Sequence, residues 1–217
     1  MAIYSQDWFR EHAVPRLHAQ VPVEAIDTAL PALRSDADLN ADIAADNTLK
    51  TVEKTRAAAV LVGLLERDGE LHVLLTQRSD ELPTHAGQIA FPGGKIDAGD
   101  AGPVECALRE TCEETGVAPE FVEPTGFLDV YQTGTGFRIV PVVGLLRSGF
   151  DLVPEPGEVT EIFDVPLAHF MEPANHFRHS RVWQGRERQY YAMPYGERYV
   201  WGATAGMLRN LHDRITR

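Results

Sequence analysis

At 217 residues, with 44% hydrophobic and 24% charged residues, the chain has the length to bury a substantial core and the composition of an ordinary globular protein. Its net charge of -12 argues against the basic surface that nucleic acid or an anionic membrane recruits, so neither partner is expected. The first residues carry Asp7, Arg10 and Glu11 where a signal peptide needs an apolar run. With only Cys106 and Cys112, placed without zinc-site spacing, a reducing, cytoplasmic setting is the expectation.

Residues 1–55 read as an N-terminal helical extension, with Trp8, Phe9, Val14 and Leu17 on one apolar face and Pro15 bending or ending the segment. Covering the core, making a homodimer contact and folding beside a substrate entrance are all open to it. The tract from Ser35 to Asn47, rich in Asp, Ala and Asn, reads as a surface connection or short helix. The catalytic body, residues 56–217, then opens on A-A-A-V-L-V-G-L-L, a buried-strand pattern. Arg67-Asp68-Gly69-Glu70 supplies hairpin chemistry and Leu71 to Thr76 a second strand. Gln77-Arg78-Ser79 leads into a polar loop holding His85 and Gln88, which is placed beside the substrate because loops on rigid sheets carry binding residues.

A helix of about four turns is expected between Pro103, suited to a first helical position, and Gly116, suited to a left-handed C-terminal cap. Val104, Ala107, Leu108, Thr111 and Thr115 would face a sheet. Further on, Gly126 to Tyr131 and Phe137 to Leu146 read as strands, Leu167 to Glu172 as a helical segment and Gln189 to Pro194 as a strand. An amphipathic helix closes the chain. The alternation of strands and helices favours an α/β class.

The chemistry sits on the helix after the glycines. Glu110, Glu113 and Glu114 share one side, where like charges three and four apart cost a few tenths of a kcal/mol per pair. A hard divalent cation gives such crowding a use, since it takes carboxylate oxygens and keeps positions for water and phosphate. A solvated acidic face is the plainer alternative. Gly93 and Gly94 would let phosphate or metal approach the backbone closely. Arg78 suits substrate or a surface ion pair, and His85 substrate or a structural hydrogen bond.

Gly93-Gly94 followed by R-E-T-C-E-E-T-G-V at Arg109 to Val117 resembles the Nudix box of pyrophosphohydrolases. L-L-T-Q-R-S at Leu74 to Ser79 and H-A-G-Q-I-A-F-P-G-G at His85 to Gly94 are similar to the coenzyme A pyrophosphatase branch of that superfamily, and V-P-V-V-G-L-L, G-E-V-T-E-I-F-D-V-P-L and V-W-G-A-T-A-G-M-L extend the resemblance across residues 56–215. Three positions depart from the pattern. The interval from Gly94 to Arg109 is one residue longer than the general box, as in that branch, so Ala101 stands at a glutamate register and Asp100 is the nearest acid. Thr111 replaces an apolar residue, and Pro83 stands where the branch often has a base.

The resemblance implies a Nudix α/β/α sandwich with a mixed β-sheet. It implies metal-dependent hydrolysis of the pyrophosphate bond of coenzyme A or acyl-CoA, giving adenosine 3',5'-bisphosphate and the matching 4'-phosphopantetheine, with Mg2+ or Mn2+ as cofactor. Glu110 and Glu114 are the implied metal ligands, Glu113 a further ligand or the acid that handles the attacking water, and Arg109 an orienting residue. Glu158 and Glu161 are either surface charges or, brought over the site by their loop, rivals for the base. Arg78, His85, Gly87, Gln88, Gly93 and Gly94 would bind substrate. Another nucleoside diphosphate derivative, such as ADP-ribose or NADH, and a non-catalytic nucleotide-binding module are the alternatives.

Overall fold

The computed structural model describes residues 4–27, 29–40, 55–183 and 185–216. Of the Asp-, Ala- and Asn-rich tract, residues 41–47 lie outside the described residues. In chain order the elements are α1 (Gln6–Trp8), α2 (Val23–Ile26), β1 (Arg34–Ser35), β2 (Arg56–Arg67), β3 (Glu70–Arg78), β4 (Ile89–Ala90), β5 (Gly93–Lys95) and α3 (Pro103–Thr115). They continue with β6 (Val122–Phe127), β7 (Tyr131–Gln132), β8 (Phe137–Leu146), β9 (Val159–Pro166), α4 (Leu167–Met171), β10 (Phe177–Trp183), β11 (Arg186–Ala192) and α5 (Ala203–Ile215).

β2 is the spine of a mixed sheet, parallel to β8 on one side and antiparallel to β3 on the other, with β9 and β4 on β3 and β6 and β7 on β8. The β2–β3 hairpin turns at Asp68 and Gly69, both at positive φ (50° and 84°), as two-residue hairpins require.

Because strand side chains alternate, β2, β3 and β8 bury residues on both faces. Ala59, Leu61, Leu74, Val140 and Val142 join one core with Cys106 and Ala107 of α3. Val62, Leu64, Val73, Leu75, Val143 and Leu145 join the other with Leu208 and Leu211 of α5 and Phe170 of α4. Helices on both faces of a mixed sheet make the expected α/β/α sandwich.

The N-terminal residues form short turns rather than one helix: α1 runs into a π turn (Phe9–Ala13) and a 3-10 turn (Val14–Arg16), and α2 is four residues long. Pro15, Pro22 and Pro31 each prevent a continuous helix. Phe9, Ala13 and Leu17 are nonetheless buried in the α5-side core, and β1 pairs with β7. The strand expected from Gly126 to Tyr131 is two strands, β6 and β7. The strand expected at Gln189 to Pro194 begins earlier, as β11, and pairs with β10. That hairpin is polar and exposed, so it carries little of the apolar alternation that marks a strand.

Candidate active site

The helix bearing the glutamates forms where its ends dictate. Gly102 precedes Pro103 at the first turn, and Gly116, at φ 76°, closes the last with its N–H on the Cys112 carbonyl at 2.9 Å. Cys106, Ala107, Thr111 and Thr115 are buried against the sheet. The hydroxyls of Thr111 and Thr115 donate to the carbonyls of Ala107 and Thr111, at 2.6 Å each. This self-satisfaction makes a threonine acceptable where the related pattern has an apolar residue.

The three glutamates occupy three environments. Glu114 is buried, 4% exposed, and accepts a hydrogen bond from the Gly93 N–H at 3.3 Å. Burial first, and then the charges of Glu110 and Glu158, push its carboxyl up to about 8, against the opposing charge of Arg78 and the Gly93 bond. Glu110 is half-buried and also raised, by burial and the charges of Glu113 and Glu158, with Arg109 opposing. Glu113 is exposed.

Arg109 holds this side together, donating to Asp100 (2.9 and 3.0 Å), Glu110 (2.9 Å) and Glu113 (3.1 Å). Its hydrogen bonds hold Asp100 down at about 2. The longer glycine-to-arginine interval thus contains an acid that anchors the arginine. Sequence reasoning named Asp100 as the nearest acid without giving it this role.

Both glycines lie in close contact with their surroundings. A Cβ on Gly94 would lie 2.4 Å from the Glu110 carboxylate, and one on Gly93 would lie 2.4 Å from the Ala59 carbonyl oxygen. Gly93 also sits at φ 153°.

The acidic loop before β9 folds over the end of α3. Val153 N–H bonds the Thr115 carbonyl at 2.9 Å, Glu155 N–H the Glu114 carbonyl at 3.2 Å, and Ser79 N–H the Glu158 carbonyl at 2.8 Å. These bonds carry Glu158 to within electrostatic reach of Glu110 and Glu114. Glu161 goes elsewhere: it lies opposite Gln77, is ion-paired with Arg198, and lines a cleft of about 520 Å³.

Arg78 bears on Glu114, and its buried Nε has no hydrogen-bond partner among the described residues. Its backbone anchors the polar loop, accepting from Gly87 N–H at 3.2 Å and donating to the Gln88 carbonyl at 2.9 Å. His85, exposed and at φ 58°, meets the Gln88 side chain at 3.0 Å, while Gly87 lines the cleft rather than the glutamate cluster. Arg198, Tyr199 and Trp201 also line that cleft and were not among the residues expected from the sequence, since no catalytic motif or ligand-binding spacing marks them.

A family model described as NUDIX domain matches residues 54–184. A protein named Uncharacterized Nudix hydrolase NudL, of Citrobacter koseri, is 38% identical over 160 residues, covering 74% of this chain and 83% of its own length. The chain belongs to the Nudix family. Nudix hydrolase 15, mitochondrial, of Arabidopsis thaliana is also 38% identical, over 162 residues, which cover 71% of this chain but only 57% of that longer protein. Among solved structures, a MutT/nudix family protein from Enterococcus faecalis shares the fold, with a TM-score of 0.50 at 19% identity over 82% of this chain and 69% of that one. The sequence expectation of a Nudix pyrophosphohydrolase agrees with this membership. No helix among the described residues is long and apolar enough to cross a membrane.

As a Nudix metal site, the helix has the right chemistry but is not drawn together. Among the described residues, no three His, Cys, Asp or Glu side chains are gathered closely enough to hold an ion as they stand. Arg109 draws Glu110 and Glu113 to itself, and Glu114 turns to Gly93. The donor set nonetheless fits a hard cation: all donors are carboxylate oxygens, and Glu114 is a buried acid with one long hydrogen bond and unfavourable neighbours. A divalent cation held by Glu110 and Glu114 would relieve that situation.

Proposed function

We propose that this protein hydrolyses the diphosphate bond of coenzyme A or an acyl-CoA, giving adenosine 3',5'-bisphosphate and the matching 4'-phosphopantetheine. The observation that carries the reading is Glu114, buried under the Gly93-Gly94 loop with Arg78, Glu110 and Glu158 acting on it. The H-A-G-Q and F-P-G-G segments support the coenzyme A branch over a general Nudix substrate. Mg2+ or Mn2+ held by Glu110 and Glu114, with Glu113 as a further ligand, would neutralise phosphate oxygens and make a bound water acidic.

The protein's own residues do the rest. Arg109 and Asp100 keep Glu110 and Glu113 in place. Arg78 offers a cation to the diphosphate, which an acidic chain must supply locally. Glu158 accepts the proton of the attacking water: it is exposed, and its carboxylate makes no hydrogen bond among the described residues, whereas Glu113 is tied to Arg109 and Glu161 to Arg198. Gly93 and Gly94 keep the loop low enough for phosphate to approach.

The test is a substrate panel of coenzyme A, acetyl-CoA, ADP-ribose, NADH and nucleoside triphosphates, each with Mg2+ or Mn2+, with products identified by mass. Adenosine 3',5'-bisphosphate from coenzyme A is the expected result. Faster turnover of ADP-ribose or NADH would move the substrate assignment. Binding without turnover of any compound would leave a nucleotide-binding module.

A further inference from the structure

We propose that the cleft between β3, β9 and the segment before α5 takes the purine base of the nucleotide half of the substrate, with Tyr199 and Trp201 as its flat wall. The assignment rests on the diphosphate-hydrolase reading only for what is joined to that base. The cleft measures about 520 Å³, within the range of sites that enclose small ligands. Its other polar contributors are Gln77, Glu161, Glu197 and Arg198.

Its position suits a substrate that reaches two places. Gln77 and Glu161, opposite one another in the β3–β9 ladder, line the cleft, while the neighbouring Arg78 bears on Glu114. Glu158 precedes Glu161 by three residues, in the turn just ahead of β9. The cleft and the glutamate cluster thus meet at one end of the β3–β9 ladder, where a single nucleotide can engage both. Gly87 lines the cleft, and its N–H bonds the carbonyl of Arg78.

The wall is built in advance. The Arg181 guanidinium lies 4.7 Å from the Trp201 ring centroid, and Tyr190 meets Trp201 edge-on at 5.1 Å. Tyr199 lies nearly parallel to His179, and its hydroxyl is 2.6 Å from the His179 Nδ1. Tyr199 keeps 39% of its surface exposed, a large aromatic ring held at the edge of a polar cleft. Braced rings lose little freedom when a base stacks on them, and every purine offers a π face. The carboxylate of Glu161, fixed by Arg198, and the Gln77 amide supply hydrogen-bonding groups for the base edge. Through Arg181, Tyr190 and His179, the exposed β10–β11 hairpin braces the wall from one side.

Trp8 and Trp183 replaced by Phe leave Trp201 as the only one of the three tryptophans. Titration of that protein with adenosine 3',5'-bisphosphate should quench Trp201 emission with saturation, and ribose 5-phosphate, which lacks the base, should not. Tyr199→Leu should weaken adenosine 3',5'-bisphosphate binding by roughly tenfold and raise KM for coenzyme A similarly, with kcat and thermal midpoint changed far less. Quenching by 4'-phosphopantetheine instead, or unchanged binding in Tyr199→Leu, would overturn the assignment. Turnover of coenzyme A without base-dependent quenching would overturn the cleft alone. Absence of both binding and turnover would remove the functional reading with it.

Discussion

At the scale of single residues, the two loop glycines separate stability from function. Gly93→Ala sets a Cβ against backbone at a φ that disfavours side chains, and should cost about 1–3 kcal/mol of stability, read as a lower denaturation midpoint. Gly94→Ala instead meets the end of the Glu110 side chain, which can swing away. It should leave the midpoint nearly unchanged and lower kcat/KM by roughly tenfold or more through a displaced ligand. Equal thermal losses in the two variants would contradict this division. Glu114→Gln replaces a buried acid whose charged form burial already disfavours, so the metal-free fold should be no less stable while most turnover is lost. Near-normal turnover would sink the assignment of Glu114. The glutamates were legible in the sequence because charges crowded on one helix side need a reason. The separation of Glu158 from Glu161 was not, since it depends on which carbonyl Ser79 bonds and on a partner, Arg198, lying far along the chain.

At the scale of elements, α3 was readable to the residue because both its ends are marked by local stereochemistry, Pro103 and Gly116. The β10–β11 hairpin was not: its residues are polar and mostly exposed, and its pairing is with itself. A second set of contacts docks α5 against the N-terminal segment and the turn after β6. Asp129 is held there by Arg214, His18 (2.9 Å) and Asn210 (2.6 Å). Burial raises its pKa, but these hydrogen bonds outweigh burial and hold it at about 2, below the ordinary 3.8. A depressed carboxyl stabilises the fold fully above its unfolded pKa, and that contribution is lost as pH falls through the folded value. The ionised group should therefore contribute roughly 2 kcal/mol at neutral pH, disappearing between about pH 4 and pH 2. Urea midpoints should show Asp129→Asn well below the native chain at neutral pH, with the difference shrinking in acid. A constant difference would contradict this linkage.

At the scale of the whole molecule, the α/β class was legible in the alternation of strands and helices and the α/β/α layering in the family resemblance. β2, β3 and β8 do carry apolar side chains on both sides, as a doubly covered sheet requires. The place of residues 4–40 was less legible, since prolines break their periodicity into turns held by a few buried side chains and isolated backbone bonds. We propose that this segment is integral to the folded unit rather than an appendage. Phe9 has no exposed surface and Leu71 N–H bonds the Tyr4 carbonyl at 2.9 Å. Phe9→Ala should cost about 3–5 kcal/mol in chemical denaturation, shifting one cooperative transition. A shift of a few tenths, or a separate early transition, would make the segment an independent extension.

Binding of Mn2+, followed by the loss of its free electron-spin signal, tests most directly whether the carboxylates on α3 are a metal site. The native protein should remove free Mn2+ saturably, and Glu110→Gln and Glu114→Gln should each weaken that binding by roughly tenfold or more while Glu161→Gln, tied to Arg198 at the cleft, leaves it unchanged. Equal Mn2+ affinity in the native protein and in Glu114→Gln would contradict the account at its centre.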